Sequence, residues 1–212
     1  MRAFVFLTAA FTAASCSHAQ SSPAPAAPPA TAATAPAASS APGPVAAFET
    51  VRAVLQSPRC VNCHPTGDQP TQGDDSHRHL QFVQRGPEGR GAVGLACATC
   101  HGKANPPASY GAHMPPGVST EWRLPPPQHR MVFAGLSSQA LCRQLKDPKQ
   151  NGGLNMAGLF HHVSSDPLVL WGWSPGEGRK PVPIAHQEFV RAFKQWADAG
   201  APCPPEPVAH DR

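Results

Sequence analysis

The chain has 212 residues, a net charge of +4 and only 14% charged residues, and it contains 27 prolines and 18 glycines. This charge is too small and too scattered for a nucleic-acid-binding protein, and at most it would suit an acidic protein partner. The length predicts one folded domain, although long proline-dotted loops normally argue against a compact fold.

Residues 1–16 have the form of an export signal. Arg2 is followed by a run of apolar and small residues that is too short to cross a bilayer as a permanent helix. The small residues before Cys16 predict cleavage at that cysteine and its modification with lipid; ordinary cleavage after Ala19 and a buried N-terminal strand are the alternatives. We therefore expect a periplasmic protein that is tethered to the membrane through Cys16.

Residues 17–45 are rich in proline and alanine, and from residue 20 onwards they contain no charged or aromatic side chain. Such a segment has almost no apolar area to bury and cannot form a core, so it predicts a disordered linker. The folded domain is then expected over residues 46–205, with a short tail over residues 206–212.

Four stretches of the domain place apolar residues at helical spacing, and they predict helices at 46–57, 137–147, 153–165 and 186–200. The last is the most regular, because Phe189, Phe193 and Trp196 share one face. Residues 65–95 and 103–136 show no period and predict loops. No alternating pattern lasts long enough for a sheet. The expected fold class is mainly α with extensive irregular loops.

The most informative feature is a pentapeptide that occurs twice, as CVNCH at 60–64 and as CATCH at 97–101. Cysteines three residues apart face the same way on one helical turn, so both thiols can add to the two vinyl groups on one edge of a haem. The histidine that follows can then bind the iron from beneath the ring, and this pattern is the signature of c-type haem attachment. The predicted attachment residues are Cys60, Cys63, Cys97 and Cys100, and the predicted proximal iron ligands are His64 and His101.

Two alternatives to haem use the same cysteines. The two CxxC pairs could form a four-cysteine zinc site, as in a zinc-binding interaction module, or a disulfide framework. Zinc ribbons, however, do not require a histidine after the second cysteine of each pair. Two bound haems would also give the long loops something to pack around, which predicts a cytochrome c-like, haem-packed single domain.

Two of the seven cysteines, Cys142 and Cys203, have no predicted role after the haem sites and Cys16 are assigned. A disulfide between them would tie the last helix to the body of the domain. Two free thiols are the alternative.

The sixth ligand of each iron decides whether the haem is closed or reactive. Among the histidines and methionines of the domain we single out His79, in the loop between the two pentapeptides, Met131, after a proline run, and His162, on a predicted helix. An ordinary surface or packing role remains the alternative for each. The stretch WGWSPGEGR at 171–179 could lay an indole against a haem or form an ordinary turn.

The predicted helix before CVNCH and the C-terminal FKQWADAGAPCP at 193–204 resemble small bacterial cytochrome c units. In those units the first and last helices pack together.

A second resemblance spans residues 58–204. It is carried by CHPTGDQPTQGDD at 63–75, CATCHGKAN at 97–105, LCRQLKDPKQNGG at 141–153 and WGWSPGEGR at 171–179. Together these stretches resemble a group of small exported proteins labelled isoquinoline 1-oxidoreductase subunit. That label implies electron transfer from a molybdenum hydroxylase to the respiratory chain.

The sequence therefore predicts a periplasmic diheme c-type cytochrome that transfers electrons between redox proteins, one of which could be a dehydrogenase. The alternative from another class is an enzyme, such as a small diheme peroxidase or a reductase. It would need one haem whose sixth position is open.

Overall fold

A computed structural model describes residues 42–206 of the chain. The predicted signal segment, the lipid-attachment residue Cys16, the linker as far as residue 41 and the tail from residue 207 lie outside the described residues. No helix within residues 42–206 combines the length and the apolar character that a membrane crossing needs.

The described chain is mainly helical, with long irregular segments between the helices. The helices are Pro44–Leu55 (α1), Pro58–Val61 (α2), Ser138–Lys146 (α3), Met156–Ser165 (α4), Pro167–Leu170 (α5) and His186–Asp198 (α6). Single 3₁₀ turns occur at Cys97–Thr99, Ala108–Tyr110, Pro127–His129 and Trp171–Trp173. The predicted class, mainly α with irregular loops, is confirmed.

The described strands form two small antiparallel hairpins within the predicted loops. The strands are Thr71–Gln72 (β1), His77–Arg78 (β2), Gly91–Ala92 (β3) and Leu95–Ala96 (β4). β1 pairs with β2, and β3 pairs with β4. Each strand has only two residues, which is why no alternating pattern is visible in the sequence.

All four predicted helices are present, and their bounds differ from the prediction by at most three residues. The largest shift is at α4. Gly152 and Gly153 both have a φ of +80°, a left-handed conformation that excludes them from the helix. The side chain of Asn155 then accepts a hydrogen bond from the amide of Gly158 and caps the first turn, so that α4 begins at Met156.

The core lies between the first and last helices. Phe48 of α1 lies 4.9 Å from the ring of Trp196 of α6, and Phe193 meets the same indole edge-on at 5.4 Å. All three side chains are fully buried. The packing of the first helix against the last, which the resemblance to cytochrome c units implied, is therefore present.

The predicted Cys142–Cys203 disulfide is also present. It joins α3 to the chain just after α6, and so fixes the C-terminal segment to the core.

A buried arginine organises the loops that follow the first pentapeptide. Arg85 is only 1% exposed. Its guanidinium donates to the carboxylate of Asp68 and to the carbonyls of Gly67 and Pro125. Because a buried cation must be fully hydrogen-bonded, these contacts join two loops that have little apolar area of their own.

Candidate haem-binding site

Both pentapeptides adopt the same local fold. In residues 60–64, the amides of the second cysteine and of the histidine both donate to the carbonyl of the first cysteine, each at 3.1 Å. In residues 97–101 the same two hydrogen bonds measure 3.2 and 3.0 Å. Each motif is therefore one closed helical turn. In such a turn both cysteines project from the same side, as attachment to one porphyrin edge requires.

The predicted proximal histidines are oriented in the same way. His64 donates from Nδ1 to the carbonyl of Met131 at 2.7 Å, and His101 donates from Nδ1 to the carbonyl of Pro116 at 2.8 Å. A carbonyl oxygen can only accept, so the proton must lie on Nδ1 and the lone pair on Nε2. Metal-bound histidines characteristically show this arrangement, in which the second ring nitrogen is held by a backbone carbonyl.

Aromatic stacking fixes the plane of each ring. The His64 ring lies 3.9 Å from the ring of Phe133 at an interplanar angle of 14°, and the His101 ring lies 4.4 Å from that of Trp122 at 3°. Burial lowers the pKa of His64 and of His101 to about 4, although the hydrogen bond at Nδ1 acts to raise the pKa of each ring. Both rings are therefore neutral at pH 7, with Nε2 free to bind a metal.

The four predicted attachment cysteines are all unpaired, so they do not form the alternative disulfide framework. Burial raises the pKa of Cys60 to about 11, that of Cys63 to about 12, and that of Cys97 above its ordinary value. Burial thus favours the protonated form of these three thiols. Within residues 42–206 no three cysteine, histidine or carboxylate side chains converge as a metal site.

A large cavity lies against both attachment sites. Its volume is about 690 Å³, within the usual range of about 300–1,000 Å³ for cofactor sites. Cys97, Cys100 and His101 of the second pentapeptide line it, together with Cys63 of the first. The rest of its apolar lining includes Leu80, Val83, Leu95, Pro115, Pro116, Trp122, Leu124 and Trp171. An apolar cavity edged by two thiols and one neutral imidazole fits a haem at the second pentapeptide.

A buried cation borders the same cavity. Arg59 is 5% exposed, and its guanidinium donates to the carbonyl of Gly73 at 2.6 Å and to the carboxylate of Asp74 at 2.9 Å. It also lies 5.7 Å from the centre of the Trp171 ring. Its Nε is buried and has no hydrogen-bond partner within the described chain. Because guanidinium groups bind carboxylates, Arg59 suits the propionate groups that a haem carries.

The two tryptophans of the WGW stretch have different environments. Trp171 lines the cavity, and its Nε1 donates to Asn105 at 3.1 Å. Trp173 packs on Phe189 of the core and donates to the carbonyl of Ile184. One indole therefore belongs to the site and the other to the core.

The three candidate sixth ligands lie in different places. His79 lines the cavity. Met131 lies on the Nδ1 side of His64, because its carbonyl accepts the hydrogen bond from that atom. His162 is on α4, near enough to His64 to interact with it electrostatically, and its Nδ1 lies 3.0 Å from a carboxylate oxygen of Asp166.

Sequence reasoning missed three residues of the site. Arg59 directly precedes the first pentapeptide, but nothing in the pattern distinguishes it from a surface arginine. Trp122 and Pro116 lie in proline-rich segments without periodicity, so no sequence signal indicates which ring or carbonyl meets His101.

Comparisons with known proteins give no match for this chain among protein families, curated proteins or solved structures. The functional assignment therefore depends on the site itself.

Proposed function

We propose that this chain is a diheme c-type cytochrome that transfers electrons between redox proteins of the periplasm. One haem would be held by Cys60 and Cys63, with His64 as its proximal ligand. The other would be held by the second pentapeptide, with His101 as its proximal ligand. The observation that carries the proposal is the pair of Nδ1-to-carbonyl hydrogen bonds, because they leave Nε2 of each histidine as a fixed, unprotonated metal ligand.

The geometry of the cysteines supports covalent attachment. Each thioether forms when a thiol adds across a vinyl double bond: sulfur bonds to one carbon, the thiol hydrogen goes to the other, and nothing leaves. The closed helical turn presents the two sulfurs of each motif on one side.

A bound c-type haem supplies one-electron chemistry at its iron, and the chain sets its position and its surroundings. Cys63 and Cys97 line the same cavity although they belong to different pentapeptides. Residues of the two attachment sites are therefore neighbours, as a relay from one haem to the other requires. Stacked rings and carbonyl hydrogen bonds hold both histidines rigidly, and a rigid site suits an electron carrier because its geometry need not change on reduction.

The predicted lipid anchor at Cys16 and the linker after it would keep this domain close to the membrane, where periplasmic electron donors and acceptors meet. A dehydrogenase is one class of donor, consistent with the resemblance to exported oxidoreductase subunits. The competing assignment, a small diheme peroxidase or reductase, requires a haem with an open sixth position.

The test is to express the full chain together with the haem-maturation machinery, and to measure its pyridine haemochrome spectrum and intact mass. We expect two c-type haems per chain. The paired variants Cys60→Ser with Cys63→Ser, and Cys97→Ser with Cys100→Ser, should each retain one. Four unmodified thiols in the mature protein, or zinc in place of iron, would overturn the proposal. Strong carbon monoxide binding by the reduced wild type would instead favour the enzyme.

A further inference from the structure

Four histidines line the cavity at the second pentapeptide, and two of them, His79 and His101, have their rings close together. The rings of His79 and His101 have centroids 6.4 Å apart and planes inclined by 64°, and both rings line the cavity. Two imidazoles bound on opposite sides of one metal ion have centroids about 6 Å apart, because each metal–nitrogen bond is about 2 Å long. The observed separation therefore fits a single iron atom between the two rings.

His79 also has an unused nitrogen. Its Nδ1 atom is buried and has no hydrogen-bond partner within the described chain. Since Nδ1 has almost no accessible surface, the ring nitrogen that is open to the cavity is Nε2, which also has no hydrogen-bond partner within the described chain. A neutral imidazole carries a lone pair on one ring nitrogen, and that nitrogen can bind a metal.

The other two histidines that line the cavity lack this feature. His77 has both ring nitrogens in contact with side chains, Nδ1 with Asp75 at 2.6 Å and Nε2 with Gln72 at 3.1 Å. His113 lies in an exposed loop at the cavity rim, and neither of its nitrogens is buried without a partner.

We propose that His79 binds the iron of the haem at the second pentapeptide, on the side opposite to His101. This inference depends on the proposed function, and it assigns that haem two histidine ligands and no open coordination site. Electron transfer needs no open site, whereas a peroxidase would. At this haem the chain is therefore built as a carrier.

The first pentapeptide positions His79. Asn62, inside CVNCH, donates to the carbonyl of Gly73 at 2.9 Å and accepts from the hydroxyl of Thr71 at 2.7 Å. These contacts fasten the β1–β2 hairpin, and His79 directly follows β2. Its amide donates to the carbonyl of Pro70, at the start of the same hairpin. The loop that carries the sixth ligand of one haem is thus attached to the turn that holds the other.

The experiment compares His79→Ala with His113→Ala, which changes a histidine at the same cavity. In His79→Ala we expect the reduced protein to bind one more carbon monoxide per chain than the wild type, and the ferric protein to gain a high-spin signal. Added imidazole should restore the low-spin spectrum. His113→Ala should match the wild type in all three measurements.

Spectroscopy of protein in which His79 is intact gives an independent test, in case His79→Ala does not fold. Near-infrared and electron paramagnetic resonance spectra should show two nitrogen ligands at the haem that remains when Cys60 and Cys63 are both replaced by serine. A methionine-ligated or five-coordinate haem there would overturn the inference. So would an unchanged spectrum in His79→Ala, or a site that opens in His113→Ala. If the wild type carried no covalent haem, the proposed function itself would fail, and the haem count separates the two outcomes.

Discussion

His64 and Met131 are 67 residues apart in the sequence, yet Nδ1 of the histidine donates to the main-chain carbonyl of the methionine at 2.7 Å. A second hydrogen bond joins the same two segments, because the amide of Phe133 donates to the carbonyl of His64 at 3.0 Å. Met131 has a φ of +49°, a left-handed conformation that is uncommon for a residue with a side chain. The chain accepts this conformation where the carbonyl meets the imidazole.

Replacing Met131 with leucine tests whether the main chain or the thioether of this residue matters. Leucine keeps the carbonyl and much of the volume, so we expect an unchanged visible spectrum and a stability change below about 1.5 kcal/mol. The contrasting variant is Phe133→Ala. It removes the buried ring stacked on His64, and it should lower the free energy of unfolding by about 3–5 kcal/mol. Carbon monoxide binding gained in Met131→Leu would instead show that the sulfur is an iron ligand.

Gly117 allows two loops to approach closely beside His101. A Cβ atom at this position would collide with the main-chain oxygens of Gly102 and Ala104. Alanine should therefore displace the neighbouring Pro116 carbonyl, which accepts from His101, and cost about 1–3 kcal/mol of stability. Chemical denaturation followed at the haem band measures the loss.

The control for that variant is Gly67→Ala. A Cβ at Gly67 would have no neighbour within 4 Å, and the φ of Gly67 is not left-handed. The free energy of unfolding of Gly67→Ala should therefore stay within about 0.5 kcal/mol of that of the wild type. Equal losses in the two variants would show that the close approach at Gly117 is unimportant.

Arg59 would tune a haem bound in the cavity as we propose. The variant Arg59→Gln removes a positive charge that borders the cavity, which would favour the ferric state, so the reduction potential of one haem should fall. The free energy of unfolding should fall by about 1–3 kcal/mol, less than for a fully buried pair because the Asp74 side chain is 36% exposed. Potentiometry and denaturant unfolding measure the two effects.

The matched control is Arg90→Gln, which breaks an exposed pair with Glu121. Exposed ion pairs contribute at most about 1 kcal/mol, so neither potential should change and the stability loss should be small. If the two arginine variants had the same effect on potential, Arg59 would have no special place at the haem.

Acid should displace the proximal histidines only at low pH. Burial lowers the pKa of His64 and His101 from 6.5 to about 4. The folded protein therefore favours the neutral rings. This contribution to stability is complete above pH 6.5 and is lost as the pH falls towards 4. We expect the low-spin absorption spectrum to persist through pH 6.5 and to be lost only near pH 4 or below. A spectral transition centred near pH 6.5 would indicate solvent-exposed imidazoles.

Local chemistry explains which features were predictable from the sequence. Cysteines three residues apart with a histidine beside them form one hydrogen-bonded turn. The hydrogen bonds of this turn join residues within the pentapeptide, so its shape does not depend on contacts with distant parts of the chain. The helices follow from apolar residues at helical spacing, because one face must be buried. Cys142 and Cys203 were left over once every other cysteine had a predicted role, which favoured a disulfide between them, and the structure contains that disulfide.

Long-range contacts explain what was not predictable. The segments that bring Pro116, Trp122 and Met131 to the histidines are rich in proline and have no period, so their sequence does not say which carbonyl or ring meets which imidazole.

By itself, then, the sequence determined the mainly helical class and the two turns that present thiols and a histidine, and it left the pairing of the last two cysteines open. Only the tertiary structure decided that Cys142 and Cys203 are bonded, that Arg59 borders the cavity, and that the ring of His79 lies 6.4 Å from that of His101 at the same cavity. Short-range order depends on spacing along the chain, whereas these contacts depend on how a hairpin and several loops pack in space.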